Sequence, residues 1–483
     1  MNTPLRRIAV VVIVMFLALM AAATWVQYVQ AAQLNADPRN VRTLYREYDN
    51  FRGPIVVGGE PIASSTPVDD PFGYQRAYAA GPLYAHATGH YSIVYGGSGL
   101  ESAANELLTG TADSLFLSRV QDLVTGRQPQ GSSVELTLDP AVQQAAADAL
   151  GDQRGAVVAL DPATGAILAM VSSPSYDPNV LAGHSTSAVN DAYRVLDDDP
   201  AEPLVNRAIA GDTYPPGSTF KLVDAAAALE SGLTPQSPLA APDVLPLPGS
   251  SATIGNFGGA SCGGGGTVTL AEALRISCNT AFAQLGLDLG DDALREQAGR
   301  FGFGTTLTIP LRVTPSAFPE DPDRPQTALS AIGQHDVRAT PMQMAMVSAA
   351  IANGGEQMAP YLVATVRSPD LDVVEEASPR VLRTPVSEAT ASALRDMMVQ
   401  VVESGTGTAA RIPGVLVAGK TGTAQTTAEA APHAWFTAFA PAEAPRVAVA
   451  VIVENGGNLG NEATGGRVAA PIARAVIEAV LAR

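Results

Sequence analysis

The feature that most limits what this chain can become is the apolar run at its start. Ile8 to Val26 is 19 residues without a charge, directly after Arg6-Arg7. Coiled as a helix at ~1.5 Å per residue, the run reaches roughly 28 Å, close to the thickness of a bilayer's hydrocarbon layer. No further charged residue occurs before Asp37. Basic residues on the leading flank favour a cytoplasmic start and place the rest of the chain outside the membrane. The expected layout is a cytoplasmic tail over 1–7 and a single-pass anchor over 8–28. A cleaved signal peptide is the competing reading, because Ala21 to Ala23 imitates a cleavage site; the apolar run is longer than a usual signal core.

The remainder is too long for one ordinary domain, at 483 residues in all. A hydrophobic share of 46% supports a sizeable core. A net charge of −18 argues against nucleic acid, whose phosphates need basic patches. His86 and His90 stand four apart and on a helix could share a metal, but Gly89 and the lack of an adjacent glutamate speak against it. No metal and no organic cofactor is expected. Among 29 basic residues only two are lysines, Lys221 and Lys420. Arginine-rich codon usage is the plain explanation. Yet lysine can lose its proton when desolvated and arginine effectively cannot, so the two lysines mark where such chemistry is wanted.

Residues 36–135 read as a separate, mostly β module that acts as a pedestal or interaction domain. Arg52-Gly53-Pro54-Ile55 leads into a strand, and recurring Gly, Tyr and Pro through 74–99 fit short strands and turns. Gln128 to Ser133 reads as a linker. Asp139-Pro140 then starts an alanine-rich helix to Leu150. Ala156–Asp161 and Ala166–Ser172 read as a strand hairpin, Ala434–Ala440 and Val447–Val453 as two more strands, and Val468–Leu481 as a closing helix. Strands at both ends with helices between them predict an α+β domain over 146–483 whose sheet uses both termini. Cys262 and Cys278 are 16 positions apart. Outside the membrane they are expected to form a disulfide, contributing on the order of 3 kcal/mol in the loop-entropy model; two unpaired buried thiols are the alternative.

Three short segments carry chemistry. In Pro215-Pro216-Gly217-Ser218-Thr219-Phe220-Lys221 the prolines and glycine halt the chain and a helix comes next, to about Ser231. Ser218 then sits at a helix start, where an unsatisfied N–H can face a developing oxyanion. Lys221, three residues on, can reach back along the same face. A serine hydroxyl is a weak nucleophile until a base removes its proton, and lysine does so only when its pKa falls far below ~10.4. The alanine run 225–228 suggests a slim buried helix that supplies the desolvation. Alone, Ser-x-x-Lys is more often an exposed helix start. The second segment is Ser277-Cys278-Asn279, after a helix opened by Thr269 and Glu272; Ser277 can relay a proton and Asn279 can bond a substrate amide and a lysine. Read alone it is a polar helix junction. The third is Lys420-Thr421-Gly422-Thr423, after an apolar strand over Val415–Gly419. Its glycines let another backbone approach, so an edge strand here could bind an extended peptide. Thr421 and Thr423 offer hydroxyls to a carboxylate. A lysine-protected edge strand is the ordinary reading.

Each fragment is weak, but their order and their coincidence with the only two lysines make a strong set. Ser218-x-x-Lys221, Ser277-x-Asn279 and Lys420-Thr421-Gly422 match the pattern of active-site serine penicilloyl-transferases. Asn206-Arg207-Ala208, Thr340-Pro341-Met342-Gln343-Met344-Ala345, Ala352-Asn353-Gly354-Gly355 and Glu403-x-Gly405-Thr406-Gly407 add to it. The chain resembles class B penicillin-binding proteins, and its amino-terminal part the actinobacterial penicillin-binding protein A group. The resemblance implies the penicillin-binding transpeptidase fold, an antiparallel sheet flanked by helices. It implies a peptidoglycan D,D-transpeptidase acting on D-Ala-D-Ala stem peptides, acylated by β-lactams, with cell-wall polymerase, divisome or elongation proteins as partners. Ser218 would be the nucleophile, Lys221 the general base, Ser277 a proton relay and Asn279 a substrate-positioning group. The Ser218 and Thr423 N–H groups would form the oxyanion hole, and Lys420, Thr421, Gly422 and Thr423 would hold the terminal carboxylate.

Other readings share the site. A D,D-carboxypeptidase would use water as acceptor. The commonest serine β-lactamases carry Asp where this chain has Cys278, and are shorter. A bifunctional enzyme needs a glycosyltransferase domain, for which the residues before 136 are too few. A non-enzymatic β-lactam sensor would usually need a larger membrane part, and a scaffold would not need Lys221.

Overall fold

A computed structural model of the chain describes residues 2–30, 48–115, 126–127, 130–264, 266–425 and 430–483. The apolar run forms the helix Asn2–Thr24, continued by a π-helical stretch Trp25–Val29. The helix is long and apolar enough to cross a membrane, and none of its most apolar window is buried.

Strict alternation of side chains organises the larger sheet. Five antiparallel strands stand in the order Ala418–Ala424, His433–Ala440, Val447–Val453, Gly155–Leu160 and Ile167–Ser173. Val157, Ala159, Phe436, Val449 and Val451 face one way and pack with the closing helix Ala469–Leu481 and the helix Pro140–Leu150. Val158, Trp435, Phe439, Ala448 and Ile452 face the other way, into the main core. Near-continuous apolar strands are what a sheet covered on both faces requires. On the main-core side lies the helix Pro341–Ala352, buried at every residue through Ile351 and capped by Thr340, whose hydroxyl accepts the Gln343 N–H at 3.1 Å. The expected hairpin, the helix opened by Asp139 and the closing helix are all present, so the sheet does use both ends of the 146–483 stretch.

The smaller sheet is built from two distant stretches. Its order is Val373–Glu376, Val363–Arg367, Ser133–Leu136, Ile55–Val57, Glu60–Pro67 and Tyr74–Tyr78, with Ile55–Val57 and Ser133–Leu136 parallel. A fully buried carboxylate pins this module. Glu101 accepts from Arg52 Nε at 2.6 Å, Arg76 Nε at 2.7 Å and Tyr78 OH at 3.2 Å.

Two expectations need correction, and the doubt about the two histidines is answered. Of the linker 128–133, residues 128 and 129 lie outside the described residues; Gln130 bridges Phe51, and Ser133 begins a strand, because the backbone there completes the smaller sheet. The strand expected over Val415–Gly419 begins at Ala418 and runs on through Lys420-Thr421-Gly422-Thr423; Val415 instead closes a tight turn with Ile412. His86 and His90 do not share a helical face. The helix Gly81–Thr88 ends at Gly89, whose φ of 72° turns the chain, and His90 bonds Ser98 and Tyr176 while His86 faces Pro174 O.

Candidate active site

Motif one is assembled by packing. Phe220 is fully buried, stacked on Phe318 and edge-on to Phe303. The preceding residues are held on every side: Tyr214 pairs with the Ala339 backbone, Pro215 O accepts the Trp435 indole N–H at 3.0 Å, and Gly217 N donates to Gly333 O at 2.9 Å. Residues Gly217–Thr219 make one 3-10 turn that feeds the helix Lys221–Glu230, and Ser218 stands half-buried in that turn. Lys221 through Ala228 are buried, so the slim alanine-rich helix does enclose the lysine.

Motif two meets it from the neighbouring helices. Ser277 closes the helix Leu270–Ile276 in the left-handed region at φ 62°, and Asn279 opens the helix Asn279–Leu289. A non-glycine residue at positive φ is strained and needs neighbours to hold it. The disulfide Cys262–Cys278 grips the residue between them, and Asn256 Oδ1 accepts the N–H groups of Asn279 at 2.9 Å and Thr280 at 3.1 Å.

The amine of Lys221 donates to Ser277 O at 2.8 Å and Asn279 Oδ1 at 2.7 Å. A bond from Asn279 Nδ2 to Gly255 O at 3.3 Å fixes which way the amide points. Both acceptors carry no hydrogen, so a neutral amine uses its two N–H groups there and keeps its lone pair free. Burial pushes Lys221 far below the usual lysine range, and the charge of Lys420 pushes it further. Lys420 reaches the same serine from the sheet. It is fully buried, donates to Ser277 Oγ at 2.8 Å and Thr421 O at 2.9 Å, and is lowered by burial to about 7. Ser277 Oγ therefore lies between the two lysines of the chain, 3.4 Å from Lys221 Nζ.

Motif three lies on the sheet's edge strand, pressed against motif one. A Cβ on Gly422 would stand 2.9 Å from Pro216 O and 3.0 Å from a Thr219 methyl, and one on Gly217, at φ 54°, 2.7 Å from Thr423 O. Only bare backbone permits that approach. Thr421 Oγ1 hydrogen-bonds Thr406 Oγ1 at 2.6 Å. All eight expected site residues thus gather at one junction between the sheet edge and three helices, with the disulfide bracing one side.

Sequence reasoning missed three contributors. Asn256 caps motif two from a loop no motif marks. Asp224 is buried one turn beyond Lys221 without a hydrogen-bond partner among the described residues. Glu454 accepts from Arg207 Nε at 2.8 Å and Tyr214 OH at 2.7 Å, tying the approach to Ser218 to the end of a sheet strand. Arg207 stood inside a sequence signature; Glu454, 247 positions away, gave no signal.

Comparison with known proteins agrees with this geometry. Residues 155–478 match the penicillin binding protein transpeptidase domain, and residues 52–134 match the penicillin binding protein A dimerisation domain. The chain is 49% identical over 490 aligned residues to the peptidoglycan D,D-transpeptidase PbpA of Mycolicibacterium smegmatis, covering 100% of this chain and 99% of that one. It is 47% identical to PbpA of Mycobacterium tuberculosis, with the same coverage. The ceftriaxone acyl-enzyme structure of penicillin-binding protein A from M. tuberculosis superposes with a TM-score of 0.88 at 47% identity, over 90% of this chain and all of that one. The imipenem acyl-enzyme of the same protein gives 0.86 at 46% identity, again over 90% and 100% of the two chains. With its motifs, its two-module build and these relatives in agreement, the chain belongs to the penicillin-binding protein transpeptidase family.

Proposed function

We propose that the chain is a peptidoglycan D,D-transpeptidase that cross-links stem peptides through an acyl-enzyme on Ser218 and is acylated there by β-lactams. The observation that carries this reading is the fully buried Lys221 amine held by Ser277 O and Asn279 Oδ1, with Ser277 Oγ between it and Lys420. A neutral lysine at the start of the nucleophile's helix can take the Ser218 proton as its Oγ attacks the carbonyl between two D-alanines. The oxyanion that forms is met by the Ser218 and Thr423 N–H groups, at the contact between motif one and the edge strand. The proton on Lys221 passes through Ser277 Oγ to the departing D-alanine amine as the C–N bond breaks. An amine from a neighbouring stem then attacks the ester, gives its proton back along the same route, and frees Ser218. Lys420, Thr421 and Thr423 bind the terminal carboxylate, and Asn279 positions the donor amide. The acyl-enzyme structures of the M. tuberculosis relative are consistent with covalent β-lactam capture.

The apolar amino-terminal helix anchors the enzyme in the cytoplasmic membrane, with Arg6-Arg7 inside and the catalytic domain outside. Its protein partners are a glycan-strand polymerase and other cell-wall assembly proteins, docked through the amino-terminal module. The test is labelling of the full-length protein by a fluorescent penicillin, which Ser218→Ala abolishes. The adduct lifetime with and without an amine acceptor separates the activities: rapid hydrolysis without amine marks a carboxypeptidase or lactamase and sinks the transpeptidase reading.

A further inference from the structure

The helix that carries Lys221 holds a second buried ionisable group, which the proposed acyl transfer does not use. Asp224 is 0% exposed, and neither carboxyl oxygen finds a hydrogen-bond partner among the described residues. A lone ionised carboxylate is very costly in such a place, so the group keeps its proton or answers to a charged neighbour. It stands three positions after Lys221, which places both on one side of the helix. The helices packed against this one are Leu270–Ile276, Asn279–Leu289, Asp291–Arg300 and Glu388–Ser404. Every Asp, Glu and Arg on them is at least partly exposed. Within the buried volume, the charge that answers Asp224 is the Lys221 amine, with Lys420 beyond Ser277.

Two influences make Lys221 less basic: burial first, then the positive Lys420; Asp224 acts in the opposite sense. Burial in turn holds the Asp224 carboxyl well above the usual carboxylate range. A base serves best when its affinity for the proton is matched to the working pH, so a lysine driven too low would be a poor acceptor for a serine proton.

We propose that Asp224 is a positioning residue for acyl transfer, an internal counter-group that keeps Lys221 basic enough to accept the Ser218 proton. As the Ser218 O–H bond breaks and the Lys221 N–H bond forms, an ammonium appears in the core. The carboxylate form, whose charge an amide cannot reproduce, stabilises it there. The inference rests on Lys221 being the base, and the experiment separates the two.

The second-order rate constant for acylation by a fluorescent penicillin is measured from pH 5 to 10 on the full-length protein in detergent. Wild type, Asp224→Asn, Asp224→Ser and Lys221→Arg are compared, the serine variant serving if the amide does not fold. Removing the counter-group is expected to move the acid limb down by about one pH unit. The plateau falls roughly two- to tenfold, while the reversible binding constant for the penicillin stays unchanged. A purely structural Asp224 would alter thermal stability and leave the limb in place. Limbs and plateaus that superimpose on wild type overturn the proposal while Lys221 stands. Substantial acylation by Lys221→Arg instead sinks the base assignment, and this inference with it.

Discussion

Replacing Lys420 with methionine should stabilise the fold while destroying activity, and the size of the gain should depend on pH. Burial lowers the amine from 10.5 to about 7. At ~1.4 kcal/mol per unit, that shift costs the folded state about 5 kcal/mol while the lysine is protonated. Because the folded value lies below the unfolded one, the unfolded chain binds the extra proton between about pH 7 and 10.5. Stability therefore rises with pH across that window, and the whole cost is present below it. Methionine fills similar space without the charge but loses the bonds to Ser277 Oγ and Thr421 O, worth roughly 1 kcal/mol each. The variant should thus be more stable by about 3 kcal/mol at pH 6, and the advantage should vanish or reverse by pH 10. In thermal unfolding of the detergent-solubilised protein this is a rise on the order of 5 °C at the lower pH. Penicillin labelling should be lost at both. A stability difference that stays flat with pH, or a methionine variant that melts earlier at pH 6, would refute the reasoning.

Lys221→Arg keeps the charge but cannot accept a proton, so acylation should fall by ~10²–10⁴-fold in stopped-flow labelling. In Gly422→Ala the new methyl meets Pro216 O at 2.9 Å and displaces the turn that carries Ser218; the acylation rate should drop about tenfold or more, and overpacking should lower stability by about 1–3 kcal/mol. Glu101→Gln leaves Arg52 and Arg76 buried against a neutral amide and should cost about 3–5 kcal/mol, read as a lower melting temperature, with labelling at 25 °C retained. Cys262→Ala opens a loop of 16 residues and should cost about 3 kcal/mol in denaturant unfolding.

Local patterns carried most of what sequence reasoning obtained. The catalytic strands are long apolar runs bounded by turn residues, and their helices begin at Asp139 and Thr269, whose side chains accept backbone N–H groups. The two lysines stood out because arginine fills every other basic position. What stayed hidden depends on contacts between distant segments. Nothing local tells that Val363–Arg367 joins a sheet begun at Ile55, that Asn256 caps Asn279, or that Glu454 receives the Tyr214 hydroxyl. The boundary error at Val415 has the same origin. Its apolar residues look like strand, but pairing with His433–Ala440 decides where the strand begins. Asp224 was passed over because its burial becomes visible only when the surrounding helices are in place.

The smaller sheet has a consequence for how this protein can be cut and recombined. One of its seams joins Ser133–Leu136 to Val363–Arg367, strands more than 220 positions apart in the sequence. A gene fragment starting at residue 146 would encode Val363–Arg367 with one flank stripped of its neighbour, an open hydrogen-bonding edge prone to sticking to other chains. A catalytic fragment should therefore stay soluble only when the strand Ser133–Leu136 travels with it.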